Sequence, residues 1–162
     1  DDRTDHIMDE AFKVTTAEEL YNCTGIQLAQ YNTIFQLLAE KKNSLNLLNN
    51  ADKILMIPNF FMFLLTGVIT AEYTIASTTG LIDPVARNWN WKVIDLFGFP
   101  RNIFPEISEP GKFSSKLLRE IALETGLDES IQVYSSAGHD TASAVASVPF
   151  RNNSWAFLSS GT

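Results

Sequence analysis

The chain has 162 residues, 45% of them hydrophobic and 19% charged, which is enough for one domain with a real core and unlike a disordered or repetitive segment. A net charge of −7, with no basic cluster interleaved with aromatic residues, argues against nucleic acid as a partner. The single cysteine, Cys23, cannot close an internal disulfide, and no His/Cys cluster stands at metal-ligand spacing, as suits a reduced, cytoplasmic setting.

No membrane partner is expected either. The most apolar run, Ile54 to Leu65, is interrupted by Pro58 and Asn59 and falls short of the roughly 20 residues that a membrane span needs. The chain opens Asp1-Asp2-Arg3-Thr4-Asp5, with no initiator methionine or signal peptide, and closes on Ser159-Ser160-Gly161-Thr162, so it reads as an interior piece of a longer protein.

In chain order, Thr16-Ala17-Glu18-Glu19 is a capping-box pattern, predicting a short helix to about Cys23 that Gly25 ends. A loop over Ile26 to Tyr31 follows. Ile34, Phe35, Leu37 and Leu38 then recur at helical spacing through Lys42, with Thr33 near the start, and Phe35 is read as core. Asp52 can cap a segment holding Ile54, Leu55 and Met56. Pro58 suits the first turn of a helix from Asn59 to Leu65, closed by Gly67. Phe60, Phe61, Phe63, Leu64 and Leu65 surround that helix with apolar surface, which implies burial on most sides; a lipid or cofactor box is the sharper and less favoured reading.

Thr74 to Ile82 is rich in Thr and Ile and reads as extended, and Asp83-Pro84 turns the chain. Trp89-Asn90-Trp91 opens a helix through Phe97, closed by Gly98; these tryptophans are read as anchors to the domain, with sugar stacking as the alternative. Pro100-Arg101 starts a short turn, and Glu106 to Phe113 reads as a loop or loose hairpin. Ser115 to Thr125 shows an amphipathic helical pattern with Gly126 as its cap, leading into a strand from Ile131 to Tyr134. A second strand is expected around Trp155 to Leu158, beyond a break in the apolar pattern at Pro149 to Asn153.

The candidate site follows the strand at 131–134. Ser135-Ser136-Ala137-Gly138-His139-Asp140-Thr141 reads as a tight turn feeding a helix through Ala146, which puts Asp140 at or beside its N-cap. There a carboxylate meets unpaired N–H groups and should be ionised at neutral pH. Asp140 either caps the helix or serves chemistry, and His139 is either a packed histidine or a ligand contact. Gly138, which would let backbone approach a ligand closely, favours the functional reading.

Gly138-His139-Asp140-Thr141-Ala142-Ser143-Ala144-Val145-Ala146-Ser147-Val148-Pro149, followed by Trp155-Ala156-Phe157-Leu158-Ser159-Ser160-Gly161-Thr162, resembles the FGGY family of carbohydrate kinases, most closely the members that phosphorylate L-rhamnulose. The resemblance implies an α/β, ribonuclease-H-like (actin-type ATPase) fold, here partial and lacking the amino-terminal phosphate hairpin. Residues 1–150 would be the second half of the first domain and 151–162 the start of the second. It implies ATP and Mg²⁺ as cofactors and a ketose as substrate. Asp140 would be the catalytic base, His139, Asp140 and Thr141 sugar contacts, and Thr162 a nucleotide contact. Tyr31 to Ala39 is similar to the family's first signature region, with Gln36 where a Lys and Ala39 where a Trp are usual, a departure away from glycerol and xylulose kinases. The remainder of the chain would be required for the second lobe, so these residues alone are expected to be inactive.

Other classes stay open at this point: another sugar kinase such as an L-fuculose kinase, a non-enzymatic actin-fold protein, or a Ser/His/Asp hydrolase. The last is disfavoured because no Gly-x-Ser-x-Gly elbow occurs and only His6 and His139 could serve as base.

Overall fold

The computed structural model describes residues 2–43, 45–152, 154–158 and 160. The amino-terminal half is helical: α1 (Ile7–Ala11), α2 (Ala17–Thr24), α3 (Thr33–Asn43), α4 (Leu45–Asn50) and α5 (Ile57–Thr66). The carboxy-terminal half alternates short strands and helices: β1 (Ala71–Glu72), α6 (Tyr73–Ser77), β2 (Ile82–Asp83), β3 (Asn88–Trp89), α7 (Trp91–Leu96), a 3₁₀ turn (Arg101–Ile103), β4 (Ile107–Ser108), β5 (Phe113–Lys116), α8 (Arg119–Thr125), β6 (Gln132–Tyr134) and α9 (Asp140–Ala146).

Local chemistry explains most of the helix ends. Thr16 accepts from the Glu19 N–H at 3.1 Å while the Glu19 carboxylate accepts from the Thr16 N–H at 3.0 Å, the reciprocal box that the sequence predicts. Gly25 and Gly67 close α2 and α5 in the left-handed conformation. Pro58 sits in the first turn of α5, and Asn90 caps α7 through its side chain.

The core lies where α3 meets the segments that follow α6. Phe35 and Ile34 are fully buried with Leu20, Leu81, Ile94 and Ile103. Trp89 is an anchor, as expected: it is 4% exposed, its indole N–H donates to the Pro105 carbonyl at 2.6 Å, and its ring packs on Phe104. Asp83 folds the β2–β3 hairpin by accepting from the N–H groups of Val85 and Ala86, each at 2.9 Å. β1 pairs in parallel with β4, Ala71 opposite Ile107, and β5 pairs antiparallel with β6, Phe113 opposite Tyr134.

Several expectations are corrected. Of the stretch 74–82 only Ile82 is extended, in β2; the rest forms α6 and a turn, in which the hydroxyls of Ser77, Thr78 and Thr79 each donate three residues back, to Thr74, Ile75 and Ala76 carbonyls. Trp89 belongs to a strand, and α7 begins only after Asn90. The segment 106–113 contains β4, and the helix expected from Ser115 starts at Arg119, since 113–116 are claimed by the ladder to β6 and the Leu118 N–H by the Leu65 carbonyl. Residues 154–158 form no strand; Trp155 stacks on Phe150 at 5.0 Å instead. Helix α5 is not buried on most sides: Ile57, Phe60, Phe61, Leu64 and Leu65 are exposed, and its buried residues are Asn59 and Thr66. Neither α1 nor α4 is apparent in the sequence, where they lack caps and a full turn of periodicity.

The capping box carries a pH dependence of known sign. The bond from the Thr16 N–H, with those from the Thr15 and Thr16 side chains, holds the Glu19 carboxyl below its ordinary 4.5. A depressed folded value stabilises above 4.5 and is lost as pH falls through that lower value. Thr16→Ala should cost the helix about 1 kcal/mol, read as roughly fivefold faster exchange of the α2 amides by NMR in the full-length protein. Unchanged exchange at Glu19 and Leu20 would show that the box is not what holds the helix start.

Candidate active site

The turn between β6 and α9 is bound to the rest of the protein by its own backbone. At its near end Ser135 is buried, its N–H donating to the Lys112 carbonyl at 3.0 Å. At its centre the Gly138 N–H donates to Glu72 Oε2 at 2.9 Å, and the His139 N–H donates to Thr74 Oγ1 at 3.2 Å. At its far end the Ser143 hydroxyl reaches back to the Ala137 carbonyl at 2.8 Å, tying the first turn of α9 to the loop.

Glu72 is the hub. It is 1% exposed and accepts four hydrogen bonds: from the Thr74 N–H at 2.7 Å, the Thr74 hydroxyl at 2.6 Å, the Ile75 N–H at 3.2 Å and the Gly138 N–H. A buried carboxylate is tolerated only with such partners, and each bond to a charged acceptor is worth about 1.5–3 kcal/mol. The crowding explains Gly138. A Cβ there would lie 3.2 Å from Glu72 Oε2, 3.3 Å from Ile75 Cγ2 and 3.3 Å from Pro58 Cβ, so the close approach that glycine permits is to the chain itself.

Of the predicted site residues, the structure places three on this turn. His139, not Asp140, is the N-cap of α9, its Nδ1 accepting from the Thr141 N–H at 3.0 Å. Asp140 Oδ1 shares that N–H at 2.7 Å and lies 3.1 Å from His139 Nδ1. Nδ1 and Oδ1 thus converge on the same backbone N–H at the start of α9. The Asp140 side chain is 98% exposed, and every contact it makes among the described residues runs through Oδ1. Oδ2 is left to accept a proton or a donor. His139 and Thr141 line a groove of about 480 Å³ with Tyr73, Thr74 and Ser77 of α6 and Ala142 of α9, and Asp140 stands outside that lining.

The other predicted residues separate. Asn32 is buried, taking the Ala29 N–H at 2.7 Å and donating to the Thr78 carbonyl at 3.0 Å, so it holds its loop together. Tyr31 and Gln36 line a second groove of about 510 Å³ on the other side of the 71–79 segment. Gly161 and Thr162 lie outside the described residues. Among the described residues no three His, Cys, Asp or Glu converge as metal ligands, and no helix is long and apolar enough to cross a membrane. Sequence reasoning missed Glu72 and Thr74. Glutamate is an uncommon N-cap, and the Thr-rich run after it reads as strand, so no local signal marks the pair.

Comparison with known proteins places this geometry. The model of the FGGY family of carbohydrate kinases, N-terminal domain, matches residues 1–147. The chain belongs to the FGGY family of carbohydrate kinases.

It is similar along its whole length to the rhamnulokinases of Halalkalibacterium halodurans (43% identical) and Bacillus subtilis (37%), and over 93% of its length to that of Bacteroides thetaiotaomicron (38%). The chain spans about a third of the length of these curated relatives, 34%, 33% and 31% respectively. Among solved structures, gluconate kinase from Lactobacillus acidophilus superposes with a TM-score of 0.77 over 85% of this chain and 28% of its own, at 24% identity. Xylulose kinase from Rhodospirillum rubrum gives 0.77 over 91% and 30%, at 22% identity. The fold is therefore a partial α/β domain of the actin-like ATPase type found in FGGY kinases.

Gly138→Ala should destabilise the full-length protein by about 1–3 kcal/mol in a denaturant titration, because Glu72, Ile75 and Pro58 must all give way. A variant as stable as the parent would mean that the turn is not packed on Glu72.

Proposed function

We propose that the full-length protein transfers the γ-phosphoryl group of ATP to a hydroxyl of a ketose, L-rhamnulose giving L-rhamnulose 1-phosphate, in the cytoplasm. The single observation that carries the role of Asp140 is its fully exposed carboxylate, with Oδ2 uncommitted, beside a groove lined by His139 and Thr141. The relatives named rhamnulokinase support the choice of sugar.

Phosphoryl transfer asks the protein for alignment, charge neutralisation and a base. In this reading Asp140 Oδ2 takes the proton of the sugar hydroxyl as its oxygen bonds to the γ-phosphorus and the bond to the β-phosphate oxygen breaks, ADP leaving. The His139 imidazole and the Thr141 hydroxyl orient the sugar. Mg²⁺ arrives as part of the substrate, held mainly by phosphates and water. Residues 1–150 form the second half of the first domain and 151–162 begin the second, which brings the nucleotide and to which Thr162 contributes. Without that second domain the chain is expected to be inactive.

Asp140→Asn tests the base. Asparagine caps or flanks a helix start almost as well as aspartate but does not accept the proton, so turnover with L-rhamnulose and MgATP should fall by roughly 10²–10⁴ while both still bind. Near-normal turnover in a stably folded variant would remove Asp140 from the chemistry.

A further inference from the structure

Glu72 lies on neither groove surface, yet it is the side chain through which the 138–140 turn is attached to the domain. Its Oε2 receives the Gly138 N–H directly at 2.9 Å. It also orients the Thr74 hydroxyl, which donates to Oε2 at 2.6 Å and so turns its lone pair toward the His139 N–H at 3.2 Å. Two consecutive amides, those immediately before Asp140, are therefore fixed by one carboxylate. The same carboxylate caps α6 through Thr74 and Ile75, so the helix that supplies one wall of the groove and the turn that supplies the other are referenced to a single point.

The rest of the surroundings leave the turn little choice. Pro58 and Ile75 also crowd Gly138, and α9 has no fully buried residue, only half-buried Ala142 and Val145, so the hydrogen bonds of the turn are the contacts nearest Asp140 that fix it among the described residues. The burden falls on the polar attachment.

We propose that Glu72, with Thr74 as its relay, is the positioning residue of this active site: it sets where Asp140 and His139 stand relative to the bound sugar without touching the sugar itself. This rests on the reading of Asp140 as the base. A displacement of the order of 1 Å at a reacting group costs roughly a hundredfold in rate, so loss of the attachment should be visible in catalysis before it is visible in the fold.

The test uses the full-length protein. Glu72→Gln keeps the shape but removes the charge, and its one oxygen cannot stand both where Oε2 accepts from Gly138 and the Thr74 hydroxyl and where Oε1 accepts from the Thr74 N–H. By NMR, the Gly138 amide proton, downfield in the parent as a donor to a carboxylate, should move upfield in the variant. In kinetics with L-rhamnulose and MgATP, turnover should fall roughly tenfold to a hundredfold with a rise in the sugar KM, while the ATP KM stays within about twofold. A loss of folded protein would instead lower turnover with both KM values unchanged. Should Glu72→Gln not fold, Thr74→Val removes the hydroxyl that receives the His139 N–H, and should move the His139 amide proton upfield together with the same kinetic split, with Thr74→Ser restoring both. An unmoved Gly138 resonance, or a shifted resonance with unchanged sugar kinetics, overturns the positioning role. If parent protein shows no sugar phosphorylation, or Asp140→Asn retains it, the functional reading fails instead, and the Gly138 resonance still decides whether Glu72 holds the turn.

Discussion

One buried carboxylate organises the functional end of this domain. Glu72 ends a two-residue strand, and its four donors come from the helix that follows it and from a turn 66 residues later in the chain. Burying a charge is expensive unless it is well hydrogen-bonded, and a turn placed a little differently would remove one of its four donors. That constraint turns a surface loop into a fixed element. It also explains why a glycine suits the position before His139, where a Cβ would press on Glu72, Ile75 and Pro58.

The segment 71–79 consequently works as a partition. Tyr73, Thr74 and Ser77 face the groove that His139 and Thr141 complete, whereas Ala71, Thr78 and Thr79 line the groove that receives Tyr31 and Gln36. Asn32 stitches the second groove to the partition by donating to the Thr78 carbonyl, and the Ile34 N–H does the same at the Thr79 carbonyl, 2.9 Å away. Residues 32–34 are thus fastened to the same 71–79 segment that lines the groove of the candidate active site.

What the sequence made legible depended on whether the signal was local. The capping box at Thr16, the glycine stops at Gly25 and Gly67, the Asp83 turn and the burial of Phe35 each rest on residues within a few positions of one another, and those readings hold. The His139-Asp140-Thr141 turn was visible for the same reason, through its glycine, its flanking strand and its helical pattern. The Thr-rich stretch misled because its hydroxyls satisfy carbonyls three residues back, which side-chain propensity does not register. Helix α5 misled in the opposite way, since an apolar composition states what a surface prefers and not what lies against it. Glu72 was out of reach, because its meaning comes from a partner that only tertiary structure supplies.

The pairing of β1 with β4 has a kinetic corollary. It joins residue 71 to residue 107 through only two positions in each strand, so little enthalpy is returned for closing the intervening loop. That loop must first compact through its own hairpin, α7 and the Trp89–Phe104 contact before the ladder is worth forming. The 138–140 turn docks onto the residue that ends β1. The candidate site is therefore a long-range structure, and its assembly should lag behind that of the local hairpin and α7.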